Sequence, residues 1–372
     1  MTDTALSELS KLPDFLTWNS GLNVVRAACS IHLHWMCSRL GGLSNVDPGI
    51  WQDLRELPKP NQLRILLSPE LFRLVLPNTR LGDEELERLR RFLGMERYLD
   101  DSSKGTLPGS WTALGDYYSG DGEPRWQDPW ASEYAECRRF ASPRVGSVVI
   151  DTDSPHHEVV LPQEFGKIER HPASEHELIT HRIEEALEHM RRVSQVAAST
   201  VREAVQVITV AKTPDDLERT GSSSWRCKPG MVGLINLHND NWSTARLCNA
   251  LVHEAIHSTI YKIELEEALF QDPVTASKER ATSPWSGRNL AVTSFAHACF
   301  VWYGLWNFWA QDLSGDAEAI HFREKAHHGF LCGPLLSHLS PAGHDSISEN
   351  GRQAIIDIYA RVQEAGTIAI AS

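Results

Sequence analysis

Leu251-Val252-His253-Glu254-Ala255-Ile256-His257 is the stretch on which the rest of the chain turns. An α-helix has 3.6 residues per turn, so positions four apart share a face. On a helix, His253 and His257 offer two imidazole nitrogens to one divalent ion, with the Glu254 carboxylate beside them. The helix itself is well signalled. Asp240-Asn241-Trp242-Ser243 is turn-like and rich in N-cap residues, and Leu247, Leu251, Val252, Ile256, Ile260 and Ile263 follow at three- and four-residue spacing. That stripe predicts one buried face with both histidines at its edge. The competing reading is a pair of surface or hydrogen-bonded core histidines.

Upstream, residues 205–210 and 232–238 read as strands separated by a Ser-rich loop, Ser222-Ser223-Ser224. A strand shortly before a His-Glu-x-x-His helix is the layout of zincin-type sites, where a strand edge holds an extended peptide. His238, at the strand end, reads as an ordinary polar residue. Residues 146–150 and 158–161 flank Thr152-Asp153-Ser154-Pro155 as an expected hairpin, leaving His156 and His157 exposed in a loop. One long helix is expected over 174–205, and shorter ones over 21–40, 69–76 and 83–93. Residues 100–143 mix Gly, Pro and Ser with Trp111, Tyr117, Tyr118, Trp126, Trp130 and Tyr134, which suits a packed lid or an aromatic-stapled connection. The expected class is α+β, predominantly α-helical, with a few short strands beside the His-Glu-x-x-His helix. Two regions are expected: a helical part with its aromatic loop over 1–145, and a metal-binding catalytic part over 146–372.

A formal charge of −13 argues against a nucleic-acid backbone or an anionic membrane as partner. No apolar run approaches the ~20 residues that span a bilayer. Seven cysteines without any C-x-x-C pair, and an N-terminus without a basic-then-apolar leader, point to a cytoplasmic protein with reduced thiols.

A catalytic ion needs a third protein ligand. Positions 258–263 hold no His or Gly, which excludes the close-spaced third histidine of metzincins. Glu279, Glu264, Glu266 and Glu267 are carboxylate candidates, most of that cluster being expected on a solvated face. His297 is the imidazole candidate, on an expected helix that is apolar nearly all round, where a buried ring needs a partner for its nitrogens. A core histidine bonded to a carbonyl satisfies the same requirement. Trp302, Trp306 and Trp309 read as core packing, and His321, His327, His328, His338 and His344 lack ligand spacing. Arg288 in Ser283-Pro284-Trp285-Ser286-Gly287-Arg288 is either a surface residue after a turn or a fork for the carboxylate of a small diacid.

Taken together, the 251–257 helix, the preceding Pro229-Gly230-Met231-Val232-Gly233-Leu234-Ile235 strand, the Pro284-Trp285-Ser286-Gly287-Arg288 turn and Phe295-Ala296-His297-Ala298-Cys299 resemble the HExxH peptide β-hydroxylases. These are iron- and 2-oxoglutarate-dependent enzymes of peptide natural-product pathways. The resemblance covers residues 220–312 well and the following residues loosely. It implies Fe(II) held by His253, His257 and His297, 2-oxoglutarate held by Arg288 with Ser286, O₂ as co-substrate, and a ribosomal precursor peptide hydroxylated at a side-chain β-carbon. Three imidazoles depart from the usual two-His, one-carboxylate face. Iron(II) and a 2-oxoglutarate dianion sum to zero charge, which a buried pocket tolerates. Glu254 would then orient a ligand rather than act as a base. The alternative is a zinc peptidase that uses His253 and His257, with Glu254 as general base toward the attacking water.

Overall fold

Helix-forming runs occupy most of the chain, and the computed structural model is 62% helix and 10% strand. It describes residues 7–43, 47–77, 82–100, 110–115, 117–118, 143–156 and 161–371. The class is α+β, predominantly α-helical.

The first helices are α1 (Glu8–Phe15), α2 (Asn23–Leu43), α3 (Pro48–Glu56), α4 (Lys59–Leu66), α5 (Pro69–Leu74) and α6 (Asp83–Asp100). Strands β1 (Ser110–Trp111), β2 (Tyr117–Tyr118), β3 (Arg144–Val145) and β4 (Val148–Asp151) precede α7 (Leu161–Phe165), α8 (His176–Val193) and α9 (Gln195–Ala204). Then come β5 (Val207–Ala211), β6 (Gly221–Ser224), β7 (Met231–Ile235), α10 (Thr244–Ile263) and α11 (Pro273–Lys278). The chain ends with β8 (Arg280–Thr282), β9 (Asn289–Ala291), α12 (Val292–Ala310), α13 (Ala317–Leu331), α14 (Pro341–Ser346) and α15 (Glu349–Ala371). These elements form two compact units that interleave in sequence. One comprises Met1–Ala28, Leu187–Val201 and Ala245–Ser372; the other comprises Cys29–Ala186 and Arg202–Thr244. The boundary expected at residue 145 falls inside the second unit.

The sheet of the second unit has the order β3-β4-β5-β7-β6. Strands β4, β5 and β7 run parallel and are buried throughout, which is why they read as unbroken apolar runs. Several expectations fail here. Strand β4 turns back onto β3 through Gly146, whose φ of +63° suits a tight hairpin, and not onto residues 158–161. Leu161 opens α7 instead, and residues 157–160, His157 included, lie outside the described residues. Ser222-Ser223-Ser224 belongs to edge strand β6, antiparallel to β7. With partners on both sides, β7 offers no edge to a peptide. His156 is buried, its Nε2 donating to Thr112 O at 2.8 Å while Nδ1 accepts from Arg88 at 3.2 Å. The helix expected over 174–205 breaks at Ser194, whose Oγ accepts from Ala197 N and caps α9. Of the 100–143 aromatic loop, only 100, 110–115, 117–118 and 143 are described.

In the first unit, α12 packs closely on α10. A Cβ at Gly304 would lie 2.6 Å from Ile256 Cδ1, so only glycine permits this approach without the isoleucine shifting. Trp309 Nε1 donates to Asn249 Oδ1 at 2.9 Å and Trp18 Nε1 to Gly304 O at 2.8 Å, which fixes the register of α12. Trp285, between β8 and β9, stacks on Trp302 and donates from Nε1 to Ala326 O at 2.9 Å. Gly329 on α13 makes room for it: a Cβ there would sit 2.1 Å from Trp285 Nε1. Gly329→Ala is therefore expected to destabilise by about 1–3 kcal/mol through overpacking against a rigid ring. That outweighs a helix-propensity gain of at most ~1 kcal/mol. Urea denaturation checks it; a variant as stable as the parent would mean that the indole yields freely.

Candidate metal centre

Helix α10 buries Leu247, Leu251, Val252, Ile256, Ile260 and Ile263, as its spacing predicts. This burial sets His253 and His257 one turn apart, with ring centroids 4.9 Å apart. His253 keeps 31% of its side chain exposed while Glu254 keeps 4%, so the pair opens to solvent on one side only. Glu254 Oε1 is 4.0 Å from His253 Nε2. One ligand atom from each of His253, Glu254 and His257 lies within 4.8 Å of the other two.

The register of α12 delivers His297 to His257. Their Nδ1 atoms are 3.1 Å apart and the rings are nearly parallel, with centroids at 5.3 Å. On its other side, His297 Nε2 faces Glu264 Oε2 at 3.6 Å. His297 thus joins the group through His257, while the tight three-residue set is His253, Glu254 and His257. Tyr261, one turn beyond His257, stacks on it and lies 5.0 Å from the His297 ring; Phe270 stacks on His297 from further out. Burial, together with the neighbouring imidazoles of His253 and His297, pushes the His257 pKa well below its ordinary value. A neutral imidazole keeps the lone pair that a metal needs.

Glu264 was expected among solvated residues, yet its side chain is 2% exposed. Its setting resembles the carboxylate partners that orient metal-bound histidines. The sequence signal was its place one turn beyond Tyr261, just after the last buried isoleucine, and it was indistinguishable from its charged neighbours. Glu267 instead accepts from Ser7 Oγ and Leu9 N at the start of α1, and Ser340 Oγ donates to Glu279, so both carboxylates are engaged elsewhere. Arg288 and Ser286 are exposed on the turn between β8 and β9, with Arg288 N donating to Ser286 Oγ at 3.4 Å. The Arg288 guanidinium makes no hydrogen bond or ion pair among the described residues.

Two cis nitrogens on one ion at ~2.0–2.1 Å lie roughly 3.0–3.4 Å apart, so the His257–His297 spacing fits a shared metal. A hydrogen bond between the rings has the same length. Tautomers separate the two cases. A buried carboxylate beside Nε2 of His297 favours the proton there and leaves the lone pair on Nδ1. Two facing lone pairs at 3.1 Å repel unless a cation or a proton joins them. Two imidazoles with the Glu254 carboxylate, and three imidazoles once His297 joins through His257, are both donor sets that fit Fe(II) or Zn(II). Among the described residues no helix is long and apolar enough to cross a membrane. Compared with family models and with curated proteins, the sequence matches none of them.

Proposed function

We propose that the chain is a mononuclear metal enzyme, and within that class an Fe(II)- and 2-oxoglutarate-dependent oxygenase that hydroxylates a peptide side chain at the β-carbon. The observation that carries the metal reading is the 3.1 Å approach of His257 Nδ1 to His297 Nδ1, with the Glu264 carboxylate on the far side of His297. The cofactor reading rests on the sequence resemblance over 220–312 and on a guanidinium free to take an anion at Arg288. Bound here, Fe(II) with 2-oxoglutarate would supply O₂-dependent C–H oxidation, releasing succinate and CO₂.

The protein's own part is positional. His253, His257 and His297 would hold the ion, and Glu264 would keep the Nε2 proton of His297 in place. Arg288 would fork onto the distal carboxylate of the cosubstrate, with Ser286 beside it. Tyr261 and Phe270 line His297 with aromatic surface that keeps water from that ring. Glu254, buried beside the exposed edge of His253, also suits a zinc peptidase, in which it would take the proton of the attacking water. That second reading stands on Glu254 alone.

Anaerobic addition of 2-oxoglutarate to the Fe(II)-loaded protein is the first test, read as a visible charge-transfer band. Arg288→Ala is expected to weaken 2-oxoglutarate binding far more than metal binding, by about 1 kcal/mol for a side chain this exposed and by ~2–5 kcal/mol where the bound carboxylate desolvates the pair. Aerobic turnover of a precursor peptide should then give succinate and a product one oxygen atom heavier. Shorter peptides formed without 2-oxoglutarate would establish the peptidase instead.

A further inference from the structure

Upstream of α10, and wholly within the other compact unit, His171, Glu175 and His238 form a second cluster. One ligand atom from each lies within 4.8 Å of the others. Strand topology gathers them. Strands β5 and β7 are parallel neighbours; Lys212 follows the end of β5, and His238 lies three residues past the end of β7. Glu169 and Lys212 exchange two backbone hydrogen bonds of 2.8 Å, which pins the segment carrying His171 against the end of β5. Carboxyl ends of parallel strands are where open sheets hold their ligands.

The supporting backbone is rigid. Asn236, in a left-handed conformation, bonds through its side chain to Thr213 N, Thr213 Oγ1, Asp216 O and Arg219 O. Arg182 Nη1 donates to Leu237 O and Asn239 O, on either side of His238. Within the cluster, His171 Nδ1 donates to Glu175 Oε2 at 2.7 Å, so its Nε2 carries the lone pair. The His171 side chain is fully buried, and that Nε2 has no hydrogen-bond partner; neither has the buried Nδ1 of His238. The two rings meet edge to face at 5.3 Å. Burial holds His171 neutral, its pKa brought down to about 4 against the opposing pull of Glu175.

Two buried ring nitrogens without partners are costly unless something satisfies both. We infer that His171, Glu175 and His238 form a second binding site for a divalent transition ion of the zinc type, with His171 Nε2 and His238 Nδ1 as nitrogen donors. Glu175 orients His171 through Nδ1, in the manner of carboxylate–histidine–metal pairs. Bond lengths near 2.0–2.1 Å put tetrahedral donors about 3.3 Å apart, within the 4.8 Å that bounds the cluster's ligand atoms. Lys212 Nζ, 2.6 Å from Glu175 Oε1, neutralises that carboxylate and competes mildly with the ion. Bound metal would tie the exits of β5 and β7 to the segment leading into α8.

The test uses the full-length, metal-stripped chain and Co²⁺ as probe, with His257→Ala removing the first centre. This variant is expected to bind one Co²⁺ with tetrahedral visible absorption. Adding Glu175→Gln should weaken binding by about 10–100-fold. Adding His238→Ala, at a half-buried position, should abolish the band. No Co²⁺ bound by a folded His257→Ala protein, or undiminished affinity after His238→Ala, would overturn the inference. Failure of the first centre reads differently: the parent protein would then bind one ion that His238→Ala removes and His257→Ala leaves.

Discussion

Replacing His257 by alanine is expected to abolish metal binding at the α10–α12 centre. The loss should exceed the ~10–100-fold that removal of a merely orienting partner costs. His257 is the one residue that touches both others, with its ring 4.9 Å from His253 and its Nδ1 3.1 Å from His297. Without it, His253 and His297 are left on separate helices with no shared neighbour that ligates. His297→Ala should have nearly the same effect if the ion is shared. It should leave metal affinity intact if the 3.1 Å contact is only an N–H···N bond. Glu264→Gln divides these cases further. A carboxamide beside Nε2 orients the ring more weakly than a carboxylate, so affinity should fall by about tenfold without loss of the site. The same preparations separate the chemistries: Glu254→Gln should cripple a peptidase that needs a base and spare an oxygenase that does not. Stoichiometry by elemental analysis, with circular dichroism to show retained helix, is the measurement.

The α10 helix was legible because its apolar period and its turn-like start agree, and both are local properties. His297 was legible only as a buried imidazole needing a partner; the identity of that partner came from the close crossing at Gly304, which no local pattern encodes. Glu264 shows the limit most plainly. Three glutamates within four positions look alike in sequence, yet one faces His297, one binds the start of α1, and Glu266 remains exposed. His171, Glu175 and His238 stayed invisible for a related reason. The first two are four residues apart, but His238 reaches them only through the parallel pairing of β5 with β7. Parallel partners are joined by long crossovers and leave no turn signature. The mistaken hairpin at β4 has another origin: its true partner β3 is only two residues long and gives almost no pattern to read. The Ser-rich composition of β6 gives no alternation to read, since an edge strand has little apolar surface to bury.

Glu70→Gln is expected to destabilise the protein by about 3–5 kcal/mol, the usual cost of breaking a buried ion pair from one side. Glu70 sits on α5 with Lys228 Nζ at 2.7 Å, Arg73 at 2.7 Å and Arg88 at 2.9 Å. The Glu70 and Lys228 side chains are each only 1% exposed, so solvent screens their attraction little. Burial alone would raise the Glu70 carboxyl, but Lys228 and then Arg73 overcome it and bring the pKa down to about 2. The ordinary value is 4.5, and that gap corresponds to about 3 kcal/mol. The sign follows from proton uptake: as pH falls, the unfolded chain protonates Glu70 first, while the folded chain resists until about pH 2. Stability from this group is therefore complete above roughly pH 5 and disappears between there and pH 2. In Glu70→Gln that acid limb should be missing, and urea unfolding at pH 7 and pH 3.5 reads it directly. Adding Lys228→Met should recover part of the loss, because it removes the buried ammonium that Glu70→Gln leaves without a counter-charge. If Glu70→Gln alone changed stability by less than about 1 kcal/mol, the charges would have to be solvated, and this corner of the sheet would be open to water.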